Sequence, residues 1–562
     1  MCGFIGIVSQ ASAGNPRQLE SRLSKGLLRL RARGPDADKI RVLEGGAIGL
    51  GFARLAIVDA DDRSHQPLTN STGELHTCVN GEIYNYREIR AERVEYCFKT
   101  NSDIEAILAV YSKFGIDGLK KLRGMFAGCI VDSARKRIFI FRDPIGKKPL
   151  YILEGEGEVL FGSSLLSLVS ANLTSVSLND SGVQSFWDKG WVNPSASVLK
   201  HAKPVLPGQV MEFNFDGRRL AIHDCTPEPL CIQTKLSMDE CSEQLDFLLR
   251  QSVERRLQNN PFPIALLSGG IDSTVVSKLM FESGGGVALT GASWPFRMPD
   301  EKFAAYAARR IGIHLTPLQI ESKHLGESVR WSLSLQDEPI ADIAFFTLAK
   351  LIEKSKETGK VLLTGDGGDE VFLGYDKVSA WSDAKLSGYK KGDLNLAYAG
   401  PEWLGAWGKW TVNEQLLGQM LVKSDRASSE QGVELRSPLL DYDLVEFCRQ
   451  MSPEFLFMKN RSKGALKSQL KGWPDSFVNR RKQGFTLRLR WIWSLTNYAG
   501  LREMINATAT ERFGHCLPRQ LNRPIPDWSA VDIHRNFATV WKLATWSAFE
   551  DRLESAHAEQ LT

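Results

Sequence analysis

The sequence predicts two domains of different fold class: an α+β domain with much antiparallel sheet, followed by an α/β domain on a doubly wound parallel sheet. Short β-type runs broken by Gly, Asn and Pro fill the first two hundred residues. Beyond them, short apolar runs alternate with helical stretches, which is typical of a parallel sheet with crossover helices. Between the two, residues 201–237 hold four prolines and lose periodicity, so we place the domain boundary there.

Length and composition exclude several classes of protein. The chain has 562 residues, enough for two or three domains, with 43% apolar residues and a formal net charge of only +4. That small charge predicts neither nucleic-acid nor membrane-surface binding. No run approaches the ~20 apolar residues of a membrane span, and we recognise no secretory signal. The nine cysteines form no CxxC pair, which argues against disulfides and zinc and favours a cytoplasmic location.

The first half contains six β-type runs and two segments with helical periodicity. The runs are residues 4–8, 48–52, 55–58, 75–79, 126–131 and 137–141, and the helical segments are 19–30 and 104–114. In the second half, a helical stripe at 245–257 precedes a buried-strand run at 264–267, a glycine turn and a helix from Thr274. Further strand runs follow at 287–292, 315–320 and 361–364. The last hundred residues are predicted to be mainly helical.

Cys2 is the first candidate catalytic residue. A small second residue permits removal of Met1, which would place the Cys2 thiol beside a free α-amine. That amine has a pKa of ~8, so part of it is neutral at pH 7 and can take the thiol proton. Nucleophile and base would then belong to one residue. Taken alone, a cysteine at this position is more often an incidental small residue.

Other side chains in the first half suit such a nucleophile. Asn80-Gly81 follows a β-type run, and a strand-ending Asn-Gly can aim a side-chain amide and a backbone N–H at one oxyanion. Glu82 and Asp103 could hold a substrate ammonium, and Arg54 could hold a carboxylate through its forked guanidinium. Each feature alone is better explained as a turn or a solvated charge, so the argument depends on their combination.

Eight motifs occur in one order along this half. They are CGFIG at 2–6, RGPD at 33–36, RLAIVD at 54–59, QP at 66–67, NGEIYNY at 80–86, SD at 102–103, GMFA at 124–127 and RDPIGKKPLY at 142–151. The series resembles the class II glutamine amidotransferase domain. The resemblance implies an αββα amino-terminal-nucleophile hydrolase fold, which we assign to residues 1–200. It also implies roles for six residues: Cys2 as nucleophile, Asn80 and Gly81 as oxyanion hole, and Arg54, Glu82 and Asp103 as glutamine ligands.

Two positions depart from that family. Ala32 stands where the family usually has His before the RGPD motif, and Phe52 stands where it often has His before the arginine of the RLAIVD motif. Neither position is assigned to chemistry. We therefore expect glutaminase activity to be retained.

Two glycine-rich acidic loops follow predicted strands of the second half. The first, SGGIDS at 268–273, opens a helix, and its backbone N–H groups can cradle phosphate oxygens, although it lacks the lysine of a P-loop. The second is GDGGDE at 365–370. If Asp272 and Asp369 meet at the carboxyl ends of their strands, they form an oxygen site suited to Mg²⁺ on a polyphosphate. For either loop alone, a simple solvated turn is the alternative.

Further motifs extend this pattern. They are DEP at 337–339, KSDR at 423–426, VELRSPLLD at 433–441, KGALK at 463–467 and RKQGF at 481–485. With the two loops, this order resembles the ATP-pyrophosphatase domain of asparagine synthetases. We assign that domain to residues 238–520, followed by a helical extension at 521–562. Both halves in this order on one chain resemble the glutamine-hydrolysing asparagine synthetase family.

In that family ATP is cleaved between its α and β phosphorus atoms, giving an acyl-adenylate and pyrophosphate. The resemblance implies that Asp272 and Asp369 bind Mg²⁺, and that Lys463 and Lys482 neutralise the leaving pyrophosphate. Asp366, where the family often has Glu, is the candidate base for the attacking ammonia. The residues implied in binding ATP or pyrophosphate are Leu267, Ser268, Gly269, Gly270, Asp272, Ser273, Gly365 and Lys463.

The acceptor carboxylate is left open by the sequence. Ile343-Ala344 replaces a common Pro-Ser after the DEP motif, and Arg488 occupies the proline position of a GFxxP segment. Conversion of aspartate to asparagine is the first expectation, and amidation of another acid (uronic acid, peptide or natural product) is the second. A catalytically dead glutamine- or ATP-binding relative is a third, against which the intact Cys2 and Asp272 count. The expected partners are small molecules, and a homodimer is possible.

An internal ammonia passage is also predicted. Ammonia in water at pH 7 is mostly non-nucleophilic ammonium, whereas an apolar path between the domains would keep it neutral. Residues 125–130 and the strands near Leu266 are candidate walls, although ordinary core would look the same in sequence.

Overall fold

The computed structural model describes most of the chain. The described residues are 2–10, 15–59, 61–92, 95–228, 236–260, 262–293, 301–320, 324–374, 411–451, 453–456, 462–480, 493–494 and 498–561. Met1, Lys482 and Arg488, on which predictions were made, lie outside them. Within the described part, no helix is both long enough and apolar enough to cross a membrane.

The amino-terminal half is a sandwich of two six-stranded antiparallel sheets, ordered β10-β8-β9-β1-β3-β2 and β12-β11-β7-β6-β5-β4. The strands are β1 (Gly3–Ser9), β2 (Ala37–Leu43), β3 (Ile48–Arg54), β4 (Leu68–Thr69), β5 (Leu75–Ile83), β6 (Gly124–Asp132), β7 (Arg137–Arg142), β8 (Tyr151–Gly155), β9 (Glu158–Gly162), β10 (Ala202–Pro204), β11 (Gln209–Asn214) and β12 (Arg219–Asp224). The sandwich therefore continues past residue 200, where the sequence-based domain ends.

Helices cover both outer faces of the sandwich. Pro16–Leu30 and Leu165–Ala171 pack on the first sheet, and Glu105–Phe114 packs on the second. The facing sides of the sheets bury a separate core that includes Phe4, Cys78 and Ile140. Apolar residues thus point to both faces of each sheet, as a four-layered arrangement requires. The predicted αββα fold is confirmed.

Two local predictions in this half are wrong. Residues 55–58 form no strand, because the chain leaves β3 at Arg54 and the Leu55 backbone turns toward the Cys2 sulfur. Asn80-Gly81 does not end a strand either. It lies inside β5, with Asn80 opposite Ala127 and Gly81 opposite Phe126 of β6.

The second half contains a five-stranded parallel sheet of order β15-β14-β13-β16-β17. Its strands are β13 (Ile264–Leu266), β14 (Val287–Ser293), β15 (His314–Ile320), β16 (Val361–Leu363) and β17 (Glu434–Arg436). Its helices are Met238–Leu257, Ile271–Gly284, Glu301–Ile311, Leu325–Leu333, Ala344–Ser355, Gly368–Val371, Leu421–Ser429, Tyr442–Gln450, Pro453–Leu456, Gly464–Lys467 and Asp475–Val478. The predicted doubly wound parallel sheet is confirmed.

The loop that follows β13 and the loop that follows β16 are neighbours. β13 and β16 are adjacent and parallel, so the loops that follow them lie at the same edge of the sheet. The helix after β13 begins at Ile271, earlier than the predicted Thr274. A Cβ on Gly365 would lie 2.9 Å from Asp272 Cβ, so the two loops are in van der Waals contact.

The carboxyl-terminal segment returns to the amino-terminal sandwich. Its helices are Ala499–Arg502, Ala507–Phe513, Ala530–Arg535 and Phe537–Leu561. The last of these packs on the helix Leu165–Ala171, and Arg29 Nε lies 2.7 Å from Glu559 Oε2. Trp541 and Trp546 are buried in this contact. The segment predicted as an extension is thus part of the core that covers the first sheet.

Candidate active sites

Cys2 lies immediately before β1 at the open end of the sandwich. Its Sγ accepts a hydrogen bond from Leu55 N at 3.3 Å and lies 3.5 Å from Leu55 O. The side chain is half-buried. Burial raises the pKa of the Cys2 thiol, while the positive charge of the amino terminus opposes this effect. A thiol in such surroundings needs an adjacent base to become a thiolate, and the α-amine of an amino-terminal cysteine would supply it.

Asn80 has the properties of an oxyanion-hole donor. Its side chain is fully buried, yet within the described residues neither its Oδ1 nor its Nδ2 has a hydrogen-bond partner. A buried amide without partners is uncommon and costs stability, which indicates that a ligand satisfies it. Gly81 follows with φ +146°, and a Cβ there would lie 1.9 Å from Met125 O, so only glycine fits.

Arg54 and Asp103 are buried at the same end of the sandwich. Arg54 Nη2 donates to Asp59 O at 2.5 Å and Nη1 donates to Asp61 O at 3.3 Å, so one surface loop orients the guanidinium. Asp103 Oδ2 accepts from Ile83 N at 2.7 Å. Burial raises the pKa of Asp103 to about 6. The pair offers a cation and an ionisable carboxyl to an amino-acid substrate.

Glu82 is engaged by the second half of the chain. Its Oε1 accepts from Arg436 Nη2, and Arg436 Nε also donates to Glu434 Oε1 at 2.8 Å. All three side chains are buried. Burial raises the pKa of Glu82, and the Arg436 guanidinium opposes that rise. The predicted glutamine ligand is therefore a member of an ion-pair network between the two halves.

The loop after β13 has the form of an anion cradle. Ser273 Oγ accepts from Ser268 N at 3.2 Å and donates to Gly270 O at 3.2 Å, which folds the loop around its own hydroxyls. Gly269 has φ +78°, and a Cβ there would lie 2.5 Å from Ala304 N. The helix Ile271–Gly284 starts directly behind the loop. Its amino-terminal N–H groups therefore face the position where phosphate oxygens would bind.

Asp272 and Asp369 lie close enough together for both carboxylates to pair with one cation, Lys463. Lys463 Nζ lies 2.5 Å from Asp272 Oδ2 and 2.7 Å from Asp369 Oδ1. Burial lowers the pKa of Lys463, but the two carboxylates outweigh it and raise that pKa to about 12. A Cβ on Gly368 would lie 2.4 Å from Asp272 Cγ. Two carboxylates focused on one point fit the requirement of Mg²⁺ for oxygen ligands.

Asp366 lies on the side of its loop that faces the helix Leu421–Ser429. Its Oδ2 accepts from Ser424 Oγ at 2.7 Å. The neighbouring Lys423 is half-buried and donates to Asp342 Oδ2 at 2.9 Å. Burial lowers the pKa of Lys423, but Asp342 outweighs this effect, so the pKa is raised. Asp366 is therefore held by the helix that also carries Asp425, the partner of Arg33 in the first half.

Sequence reasoning missed a cluster of buried ion pairs between the two halves. Arg426 Nη2 lies 3.0 Å from Asp337 Oδ2, and Asp337 also accepts from Leu165 N at 2.7 Å, which caps a helix of the sandwich. Asp425, beside Arg426, pairs with Arg33. These residues belong to the DEP, KSDR and RGPD motifs. These motifs contained a signal for the ion pairs, because their charged residues lie in both halves and had been assigned to no ligand.

A small cavity of ≈ 20 Å³ lies where residues of the two halves of the chain meet. Its lining residues are Met125, Lys147, Lys148, Leu421, Ser424, Asp425, Leu435 and Ser437. Met125 was a predicted wall residue of the passage, whereas Leu266 does not line this cavity. Burial lowers the pKa of Lys147 to about 7, so much of this lysine is neutral near neutral pH. The lining is more polar than the apolar path predicted from sequence.

An αββα sandwich that begins with a cysteine, joined to a parallel sheet with two phosphate-type loops, defines a class II glutamine amidotransferase with an attached ATP-dependent domain. Residues 1–224 match the glutamine amidotransferase domain family, and residues 244–551 match the asparagine synthase family. The chain belongs to the asparagine synthase family.

Several similar proteins are named as glutamine-hydrolysing asparagine synthetases. The chain is 25% identical to asparagine synthetase [glutamine-hydrolyzing] 1 of Bacillus subtilis, with 92% of this chain and 91% of that protein covered. It is 29% identical to a putative asparagine synthetase [glutamine-hydrolyzing] 2 of Methanocaldococcus jannaschii, covering 67% and 76%. It is 31% identical to asparagine synthetase [glutamine-hydrolyzing] 2 of Bacillus subtilis, covering 67% and 52%.

Proposed function

We propose that this protein hydrolyses glutamine, adenylates a carboxylate with ATP and converts it to an amide, with aspartate as the acceptor and asparagine as the product. The observation that carries the proposal is the convergence of Asp272 and Asp369 on Lys463 Nζ, at 2.5 and 2.7 Å. These residues come from three separate segments of the chain. Their meeting point lies beside a cradle for phosphate oxygens, and the opposite half carries a thiol with an unsatisfied amide donor.

Glutamine hydrolysis would start at Cys2. The Cys2 sulfur attacks the carboxamide carbon of glutamine while the α-amine takes the thiol proton. Asn80 Nδ2 and Gly81 N–H donate to the oxyanion that forms. The amine then gives the proton to the leaving nitrogen, ammonia departs, and water cleaves the thioester to release glutamate. Arg54 would hold the α-carboxylate of glutamine, and Asp103 would hold its ammonium.

Adenylation would take place at the carboxyl edge of the parallel sheet. An oxygen of the acceptor carboxylate attacks the α-phosphorus of ATP, and pyrophosphate leaves from the loop of Ser268 and Ser273. Mg²⁺ held by Asp272 and Asp369 would neutralise charge on the phosphates. Lys463 Nζ would then move from the carboxylates to the pyrophosphate. Ammonia attacks the acyl carbon, Asp366 takes a proton from it, and AMP departs to leave the amide.

The acceptor is the part of the proposal that needs a direct experiment. Purified protein is supplied with glutamine, ATP and Mg²⁺ and a panel of carboxylic acids, and pyrophosphate release and amide formation are measured for each acid. Aspartate should give the highest kcat/KM. Release of ADP in place of AMP would overturn adenylation, and release of neither with any acid would overturn the ligase assignment.

A second acceptor class is favoured by one feature of the chain. Ile343-Ala344, where the family commonly has Pro-Ser, begins the helix Ala344–Ser355 directly after Asp342. Ala344 N donates to Asp342 Oδ1 at 2.8 Å, and Lys423 holds the other oxygen. An apolar pair beside a neutralised carboxylate fits an acid less polar than aspartate. The same acid panel decides between the two acceptors.

A further inference from the structure

A cavity of ≈ 250 Å³ lies at the lateral edge of the amino-terminal sandwich and contains none of the residues assigned to glutamine. The edge strands of the two sheets, β2 and β4, form two of its sides, with Lys39 and Arg41 on β2 and Thr69 on β4. Lys99 and His65 come from two loops. The volume equals that of about eight water molecules in the liquid.

Three cations of this cavity have only neutral partners. Lys39 Nζ donates to His65 O at 3.2 Å, and Lys99 Nζ donates to Asn70 O at 2.8 Å. Arg41 donates to Thr69 Oγ1. Within the described residues, none of the three lies within ion-pair distance of a carboxylate. Carbonyl and hydroxyl oxygens do not neutralise a cation, so the charges of these side chains are available to an anionic ligand.

Glu105 is the one carboxylate among the described residues of the lining, and it does not compensate these cations. Glu105 is buried, and its oxygens accept from Lys99 N at 2.8 Å, Thr100 N at 2.8 Å and Thr100 Oγ1 at 2.7 Å. The cations of the cavity lower the pKa values of the basic groups beside them. Burial lowers the pKa of Lys39 and Arg41 lowers it further, and burial followed by Lys39 lowers the pKa of His65.

One loop connects the cavity with the proposed glutamine site. Arg54 is oriented by the carbonyl oxygens of Asp59 and Asp61. Four residues further along the same loop, His65 lines the cavity, and its carbonyl holds Lys39. An anion that fixes Lys39 and His65 would therefore fix the loop that orients Arg54. The two sites are then coupled through one short segment of backbone.

We propose that this cavity is an effector site for a small phosphate-bearing anion, and that its occupation tightens glutamine binding. A ligand with a single carboxylate would leave most of the three positive charges unpaired. A phosphate, with two negative charges, fits three uncompensated cations better. The volume admits a phosphate group with a few carbon atoms but lies below the ~300 Å³ at which pockets for drug-sized ligands begin. The binding step is independent of the proposed function, whereas its effect on glutamine rests on that function.

The test is a calorimetric titration of the full chain in buffer without ATP or Mg²⁺. Inorganic phosphate is the first probe and glycerol phosphate the second, so free phosphate and a phosphomonoester are distinguished. The variant is Lys39→Gln/Lys99→Gln, and the matched control is Lys200→Gln, an exposed lysine of the same half. Loss of two charge-assisted contacts should weaken binding of either probe at least about tenfold, with the control unchanged.

Glutaminase kinetics give a second readout. In the wild type, phosphate should lower KM for glutamine without changing kcat, and the double variant should not respond. The phosphate loops of the carboxyl-terminal half are intact in all three proteins, so phosphate bound there contributes equally to each. The double variant removes repulsion among the cations of the cavity, so its melting temperature in phosphate-free buffer should not fall. Equal phosphate binding by wild type and double variant, absence of binding by the wild type, or competition between phosphate and glutamine would each overturn the proposal.

Discussion

Arg33 and Asp425 form a buried two-point ion pair that joins the two halves of the chain. Arg33 Nη1 lies 3.0 Å from Asp425 Oδ2, and Nη2 lies 3.2 Å from Oδ1. Arg33 Nε also lies 3.5 Å from the carbonyl oxygen of Cys2, and Asp425 lies 3.1 Å from Arg426. The Asp425 carboxylate therefore connects the segment of Cys2, through Arg33, to the helix Leu421–Ser429. The same helix carries Ser424, which donates to Asp366.

Loss of the Asp425 charge should destabilise the interface. The substitution Asp425→Asn leaves Arg33 with weaker compensation in a dry interior, and removal of one partner of a buried pair costs about 3–5 kcal/mol. Urea unfolding should show a reduced free energy of unfolding. The control is Glu446→Gln, which removes the partner of the half-exposed Arg449 and should change stability by no more than about 1 kcal/mol. Equal stability of the two variants would contradict a structural role for the pair.

Cys2→Ala should abolish release of glutamate from glutamine, because the thiol is the proposed nucleophile. Amide formation with ammonium chloride as nitrogen source should continue, since the adenylating site lies in the other half. Both activities are measured in one assay with the two nitrogen donors supplied separately. Cys97→Ala, which removes an exposed thiol, is the control and should keep both activities. Glutamine-dependent turnover in Cys2→Ala would show that the nucleophile lies elsewhere.

Asp272→Asn and Asp369→Asn should each reduce pyrophosphate release by about a hundredfold or more while leaving glutaminase activity intact. The physical reason is the loss of one of two carboxylates that neutralise the metal and Lys463. Pyrophosphate is followed over a range of Mg²⁺ concentrations, and excess Mg²⁺ should restore part of the rate. Glu243→Gln, at an exposed position in the same half, serves as control. Unchanged pyrophosphate release in either Asp variant would remove that residue from the site.

Glutamine binding should weaken in acid. Burial raises the pKa of Asp103 to about 6, so below that pH the free enzyme holds a neutral carboxyl that cannot pair with the glutamine ammonium. Protonation of the α-amine (pKa ~8) already lowers kcat/KM for glutamine in acid, and protonation of Asp103 should lower it by a further factor of about ten for each pH unit below 6, mainly through KM. Asp103→Asn should show a high KM without this pH dependence. A ratio of wild-type to Asp103→Asn kcat/KM that stays constant between pH 5 and 7 would argue against Asp103 as the ligand.

Nitrogen should pass between the sites without mixing with solvent ammonia. With amide-¹⁵N glutamine and excess unlabelled ammonium, the product amide should be mainly ¹⁵N, as measured by mass spectrometry. In Cys2→Ala the same mixture should give unlabelled product, which calibrates the contribution of bulk ammonia. Labelling at the bulk ratio in the wild type would mean that ammonia leaves the protein between the two steps.

The motifs of the sequence were sufficient for the fold class and for the family of the chain. Apolar periodicity predicted the helices Pro16–Leu30 and Glu105–Phe114 to within a few residues, because each buries one stripe on a sheet. The glycine and acidic residues of the two loops predicted the meeting of Asp272 and Asp369, since parallel strands present their carboxyl ends at one edge. Local pattern is enough wherever the chemistry lies within one loop.

Tertiary structure alone decided which charged residues of the two halves form ion pairs. Sequence patterns assigned Glu82 to glutamine, but its carboxylate pairs with Arg436, 354 residues away in the chain. The same holds for Lys463, which lies between two carboxylates rather than in an open phosphate site. A residue's type fixes which partners it can accept, whereas burial and distance fix which partner it has. The sequence by itself therefore determined the fold class and supplied the candidate reactive groups. The packing of the two halves determined which of those groups are paired within the protein, because a charge removed from water must find its partner in space.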